Sequence, residues 1–261
     1  MSDAAAVIAS LRSGHDILAG LVSGLSDEDL ARPTGAAEWD VSQVLSHLGS
    51  GAEINQATLR AALDGKPNPG IDLARSVWAR WDAAGRRERA EGFLRENAAL
   101  VALYESLAPR EDLRIDMGFL PAPVDLATVG RFRLSEFTLH SWDVRVGFDP
   151  GATLAVDATA LIAPVVGQMA GMVGKPEALS GRQAAIAVTT NGPDSAIALR
   201  LGETISVGGD VPAQPDGTLS LPAEAWVRLV TGRLGPAYTP AGVTATGAAD
   251  LDVLRAVFPG F

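Results

Sequence analysis

The chain changes character at Gly147-Phe148-Asp149-Pro150-Gly151. Before this break, apolar residues recur at helical spacing over long segments. After it, short runs alternate apolar and polar residues between strong turn signals. A single helical bundle or a single sheet cannot satisfy both patterns, so two domains are expected, 1–148 and 149–261. In the first, Val7, Leu11, Leu18 and Val22 mark a helix over 3–24. Asp40, with Gln43 three residues on, forms a capping-box pattern opening a second helix with Val41, Val44, Leu45 and Leu48 on one side. Residues 71–107 read as a long helical region broken near Gly85 or Gly92, and 124–146 as a fourth helix. The expectation is a four-helix bundle. Gly49 and Gly51 lie inside the second helix, each costing roughly 1 kcal/mol relative to alanine. Close helix contact or room for a ligand should offset that.

Beyond the break, 154–173 suits a buried apolar helix. Runs at 184–190, 196–201, 204–207, 218–221 and 243–246 read as strands, separated by Asn191-Gly192-Pro193-Asp194, Gly208-Gly209-Asp210 and Asp216-Gly217. Helices are expected from Pro222 to about Thr231 and over 249–258. This gives a smaller α+β domain with a mainly antiparallel sheet.

Charge narrows the partners. The net charge is −10, and both sides of Phe148 are acidic: 15 basic against 21 acidic residues before it, 6 against 10 after. That argues against nucleic acid or an anionic membrane. No cysteine is present, which excludes disulfides, thiolate metal sites and a cysteine nucleophile. Thiol chemistry would need a diffusible thiol. The N-terminus lacks the pattern of a signal peptide, and no window reads as a membrane span. A soluble cytoplasmic protein, monomer or homodimer, is expected.

Of the three histidines, two have partners that make chemistry. Glu136 and His140 are four residues apart, hence neighbours on one helix face. Phe132, Leu139 and Val144 around them are apolar, so the pair is expected to look into the bundle. A carboxylate there is costly unless paired or metal-bound. His47 lies beside the apolar stripe of the second helix. Two imidazoles and one carboxylate suit zinc or another divalent metal, with a coordination position left for water or substrate. His15 lacks a metal-binding neighbour one turn away and reads as structural. Arg131, Arg133 and Arg145 read as solvated ion-pair residues, Trp142 as packing, and Asp143 as a group that orients a ligand imidazole. Gln43, one turn before His47, can touch a bound ligand.

The segments Glu38-Trp39-Asp40-Val41-Ser42-Gln43-Val44-Leu45-Ser46-His47-Leu48 and Arg133-Leu134-Ser135-Glu136-Phe137-Thr138-Leu139-His140-Ser141-Trp142-Asp143-Val144 resemble the second and fourth helices of the DinB-like bundle in mycothiol-dependent maleylpyruvate isomerases. Trp226-Val227-Arg228-Leu229-Val230-Thr231-Gly232-Arg233 is similar to a motif in that family's sterol-carrier-like second domain. The resemblance implies a metal held by His47, Glu136 and His140, with mycothiol as cosubstrate. It implies thiolate addition to a conjugated double bond, rotation and thiol loss, or thiol transfer to an electrophile. It also implies an arginine from the second domain at the site: Arg233 first, Arg228 second. Arg233 reads equally as a charge favoured at a helix C-terminus. A guanidinium suits a carboxylate or an enolate. Two alternatives use the same residues differently: a metal-dependent hydrolase with water as nucleophile, and a non-catalytic carrier of a small apolar ligand.

Overall fold

A computed structural model describes residues 3–110 and 112–260. The chain divides into two compact units, Met1–Ala152 and Thr153–Phe261.

The first unit is helical: α1 (Asp3–Val22), α2 (Val41–Leu63), α3 (Gly70–Ala83), α4 (Arg86–Leu107) and α5 (Leu126–Val146). The 71–107 region is two helices, broken at Gly85 and not at Gly92. Gly85 accepts a helix start because Glu88 turns back to its backbone N–H at 2.8 Å. The long helices α1, α2, α4 and α5 make the bundle, and the shorter α3 lies along α2. Its core is built from Leu11, Leu18, Val44, Leu48, Phe93, Leu100, Leu134 and Phe137. The glycines of α2 are explained by contact. A methyl at Gly49 would overlap the Trp81 ring, and one at Gly92 would sit 2.8 Å from it. The indole is thus wedged between α2 and α4. A methyl at Gly51 would lie 3.1 Å from the Arg133 guanidinium.

Arg133 itself departs from expectation. It is buried, donating to the Leu48 carbonyl at 2.9 Å and to Asn97 at 2.7 Å. Asn97 also meets His15 Nδ1 at 2.9 Å, so His15 is a core residue in a buried polar chain. Burial lowers the Arg133 guanidinium to about 10 and lowers His15 below its ordinary value. Arg131, by contrast, pairs with Asp3 at the surface.

The second unit contains α6 (Val156–Val173), β1 (Ala184–Asn191), β2 (Ser195–Leu201), β3 (Ser206–Val207), β4 (Gly217–Pro222), α7 (Ala223–Val230), β5 (Thr244–Gly247) and α8 (Leu251–Val257). The sheet order is β3-β2-β1-β4-β5. Only β1 and β4 run parallel; the other pairs are antiparallel. Ile186, Val188, Leu219 and Leu221 are fully buried, and their alternation fixes which sheet face is covered. Within α7, Glu224 and Arg228 form a buried two-pronged ion pair at 2.7 Å for both contacts.

α1 and α6 are each long and apolar enough to cross a membrane by length and composition, contrary to the sequence expectation. In the structure α1 packs on α5 and α4, and α6 packs on α7 and β3.

Candidate metal centre

Local capping sets the position of His47. The Asp40 side chain accepts from the Gln43 N–H at 2.9 Å, and the Gln43 side-chain oxygen accepts from the Asp40 N–H at 2.9 Å. This is the capping box read from the sequence. Arg86 and Ser42 add contacts to the same carboxylate. Burial pushes the Asp40 carboxyl up, but these hydrogen bonds outweigh it and hold it below the ordinary value. α2 therefore begins at a fixed residue, and His47 follows two turns later.

α5 supplies the other two side chains. The nearest oxygen of Glu136 lies 3.1 Å from His47 Nε2 and 3.8 Å from His140 Nε2. One ligand atom from each residue lies within 4.8 Å of the others. Among the described residues, no other group of three His, Asp or Glu side chains converges in this way. On the far side of the His140 ring, Nδ1 sits 2.9 Å from the fully buried carboxylate of Asp143. That contact leaves Nε2 turned toward Glu136. Burial raises the Glu136 carboxyl, but the His47 hydrogen bond and the positive fields of His140, His47 and Arg133 bring it down to about 2.

The site is more open than a bundle interior. The Glu136 side chain keeps 47% of its surface accessible and His47 38%, whereas His140 keeps 14%. Arg133 sits one turn before Glu136 as a buried neighbouring charge and not as an ion-pair partner.

The donor set fits a divalent metal. In a tetrahedral site with bonds of about 2.1 Å, donors sit about 3.4 Å apart, between the two separations seen here. Two imidazole nitrogens and one ionised carboxylate match zinc's usual oxygen and nitrogen ligands, and Asp143 provides the backing such imidazoles need.

Trp39 is part of the site and carried no assigned role in the sequence reading. Its ring stacks on His140 at 6.0 Å with 26° between planes, and tilts against His47 at 5.4 Å. The loop bearing it is tied to α5: the Gly35 N–H donates to the Asp143 carbonyl at 2.9 Å. A methyl at Gly35 would strike Trp142 at 2.7 Å, so only glycine lets the loop lie this close. The signal in sequence was an aromatic residue directly before a helix cap, which alone does not reveal what it covers. Gln43 and His47 share a cavity with Trp39.

In the second unit, the Arg228 donors are engaged with Glu224 and with the Tyr238 carbonyl at 2.8 Å. Arg233 is buried and donates to the Thr231 carbonyl at 3.1 Å.

The bundle and its convergent donors define a class first: a helical protein with a two-histidine, one-carboxylate site built on facing helices. The family follows from comparison. A family model described as the mycothiol maleylpyruvate isomerase N-terminal domain matches residues 11–145, just over half of the chain. The chain belongs to that family. Two solved structures, a mycothiol-dependent maleylpyruvate isomerase and a histidine-to-alanine variant of it, share the fold with a TM-score of 0.62 at 14% identity. In each case 92% of this chain and 91% of the other are covered. No curated protein matches by sequence.

Proposed function

We propose that the protein is a metal- and thiol-dependent enzyme. It acts as a mycothiol-dependent isomerase or S-transferase on a small electrophile such as maleylpyruvate. The observation that carries this is the convergence of His47, Glu136 and His140, with Asp143 fixing the ring of His140. Family membership supplies the thiol. His47 and His140 would hold zinc through Nε2 and Glu136 through one carboxylate oxygen. Bound there, the ion supplies Lewis acidity that favours the thiolate of a neighbouring thiol.

The chain's own residues do the rest. Asp143 accepts from His140 Nδ1 and keeps the ring's other nitrogen facing the site. Glu136 contributes one negative charge, and Trp39 covers one side of both imidazoles. In the isomerisation, the thiolate sulfur bonds to one carbon of the conjugated double bond, and the displaced electron pair moves to the carbonyl oxygen. The resulting carbon–carbon single bond rotates. Return of the electron pair re-forms the double bond and expels the thiolate. We propose Gln43 as a contact to the thiol cosubstrate, supported by the cavity it shares with His47. We propose Arg233 as the group that binds the substrate carboxylate or the enolate, supported by the match of guanidinium and oxyanion.

One experiment tests both layers. Metal content and maleylpyruvate turnover, with and without mycothiol, are compared in wild type, Glu136→Ala and Arg233→Ala. Expected are one zinc per chain and thiol-dependent turnover in wild type. Glu136→Ala loses the metal, and Arg233→Ala keeps it with turnover lost. A metal-free wild type after zinc addition sinks the metal reading. Turnover unchanged by omitting the thiol transfers the assignment to a hydrolase.

A further inference from the structure

The three side chains of the metal centre come from two helices, so their geometry depends on how α2 and α5 are spaced. Glu136 and His140 are fixed relative to each other by the turn of α5. His47 belongs to α2. Yet α2 packs chiefly on α4, α5 packs chiefly on α1, and the direct contact between α2 and α5 is slight. Something must hold His47 Nε2 at 3.1 Å from Glu136.

Arg133 reaches across that interval. It leaves α5 one turn before Glu136. A terminal nitrogen of its guanidinium donates at 2.9 Å to the carbonyl of Leu48, the residue after His47. The same nitrogen donates to the Asn97 side-chain oxygen on α4 at 2.7 Å. A guanidinium only donates, so the Asn97 oxygen must face it, and the amide nitrogen is turned to His15 Nδ1 on α1. His15, Asn97, Arg133 and the Leu48 carbonyl thus link all four long helices. Gly51, one turn beyond Leu48, leaves the room: a methyl there would lie 3.1 Å from the other terminal nitrogen.

The arrangement is expensive for packing alone. Arg133 keeps 6% of its surface accessible, hydrogen-bonds only neutral acceptors, and its Nε has no hydrogen-bond partner among the described residues. Burying a charge without a hydrogen-bonded counter-ion destabilises the fold, and an apolar side chain of similar length would fill the space without that penalty.

We propose that Arg133 is a positioning residue for the metal centre: by holding the Leu48 carbonyl it sets the distance of His47 from Glu136 and His140. The inference rests on the metal reading of the site. Charge and position predict opposite results for it. A buried cation beside the site repels a second cation, so the charge of Arg133 alone opposes zinc. Its spacing of the two helices favours zinc.

The test compares the full chain in wild type, Arg133→Met and Leu107→Ala. Leu107, buried at the C-terminal end of α4, controls for lost bundle stability. Zinc affinity is read by competition with a chelator. The ring signals of the three histidines are read by nitrogen–proton NMR of the metal-free protein at one fixed pH. In Arg133→Met, zinc affinity should fall roughly 10–100-fold. The His15 and His47 signals should move, while the His140 Nδ1 signal stays, because Asp143 holds it from its own helix. Leu107→Ala should leave zinc affinity and the His47 signals in place. Zinc binding that is unchanged or tighter in Arg133→Met overturns the proposal, as does an equal loss in Leu107→Ala. Should Arg133→Met not fold, Gly51→Ala decides, because its methyl crowds the guanidinium with the arginine still present. Moved His47 signals then support the proposal and unmoved ones overturn it. The ring signals need no metal. A wild type that binds no zinc therefore overturns the metal reading, while His47 moving with His140 unmoved still supports Arg133 as the spacer of the two helices. Zinc binding in wild type with His47 unmoved in Arg133→Met overturns the positioning role alone.

Discussion

In α5 and in α7 a glutamate is followed four residues later by a basic side chain, and the two pairs have opposite fates. In α7, Glu224 and Arg228 close on each other through two contacts of 2.7 Å, with side chains 11% and 1% accessible. In α5, Glu136 and His140 stand 3.8 Å apart, and the carboxylate stays half open. The spacing is identical, so spacing does not decide. What decides is the third partner. The planar guanidinium of Arg228 satisfies both oxygens of Glu224 and ends the matter. The His140 ring is instead held from behind by Asp143, and His47 approaches from another helix. A sealed pair serves the fold, whereas a pair held apart leaves its charges available.

The comparison can be broken from either side. Glu224→Gln leaves the Arg228 charge buried without its carboxylate. Urea unfolding should show a loss of roughly 3–5 kcal/mol. Zinc content should not change; a loss below 1 kcal/mol would mean the pair is not a structural element. Asp143→Asn removes the anion behind His140 while keeping its shape. Zinc affinity, read by competition with a chelator, should fall roughly 10–100-fold. Unaltered affinity would show that His140 is oriented by other contacts.

The smallest effect concerns how α2 begins. Asp40→Ala should cost about 1 kcal/mol, seen in the urea midpoint at neutral pH. The Asp40 carboxyl sits below its ordinary value when folded, so its contribution is complete above the unfolded value of about 3.9. It disappears as pH falls through the lower folded value. Wild type and variant should therefore converge in acid. A gap that persists at the lowest pH would assign the effect to something other than the ionised cap.

Much of this could be read in the residues because it is local. The cap at Asp40, the i,i+4 pair in α5 and the break after Val146 each depend on neighbours in sequence. The alternation at Ile186 and Val188 similarly announced the sheet. The features that sequence reading missed depend on tertiary approach. Arg133 was read as solvated because nothing nearby in the chain says that Asn97 and the Leu48 carbonyl will receive it. The openness around Glu136 was missed because an apolar helical stripe gives no measure of how far its edge is covered. The two glycines of α2 signalled close contact without naming what approaches them, Trp81 at Gly49 and Arg133 at Gly51. Phe119, in the connection between Pro109 and Pro123, was expected to tuck against the core; it is instead exposed and meets Phe132 edge-on.

Asp143 does two jobs with two different atoms. Its carboxylate steadies the His140 ring, and its main-chain oxygen anchors the loop that carries Trp39. The loop before α2 is therefore not an interchangeable module. Grafting a longer or shorter segment between Pro33 and Asp40 would pull on the residue that aims His140. The length of that loop and the aim of the His140 ring are inherited together here.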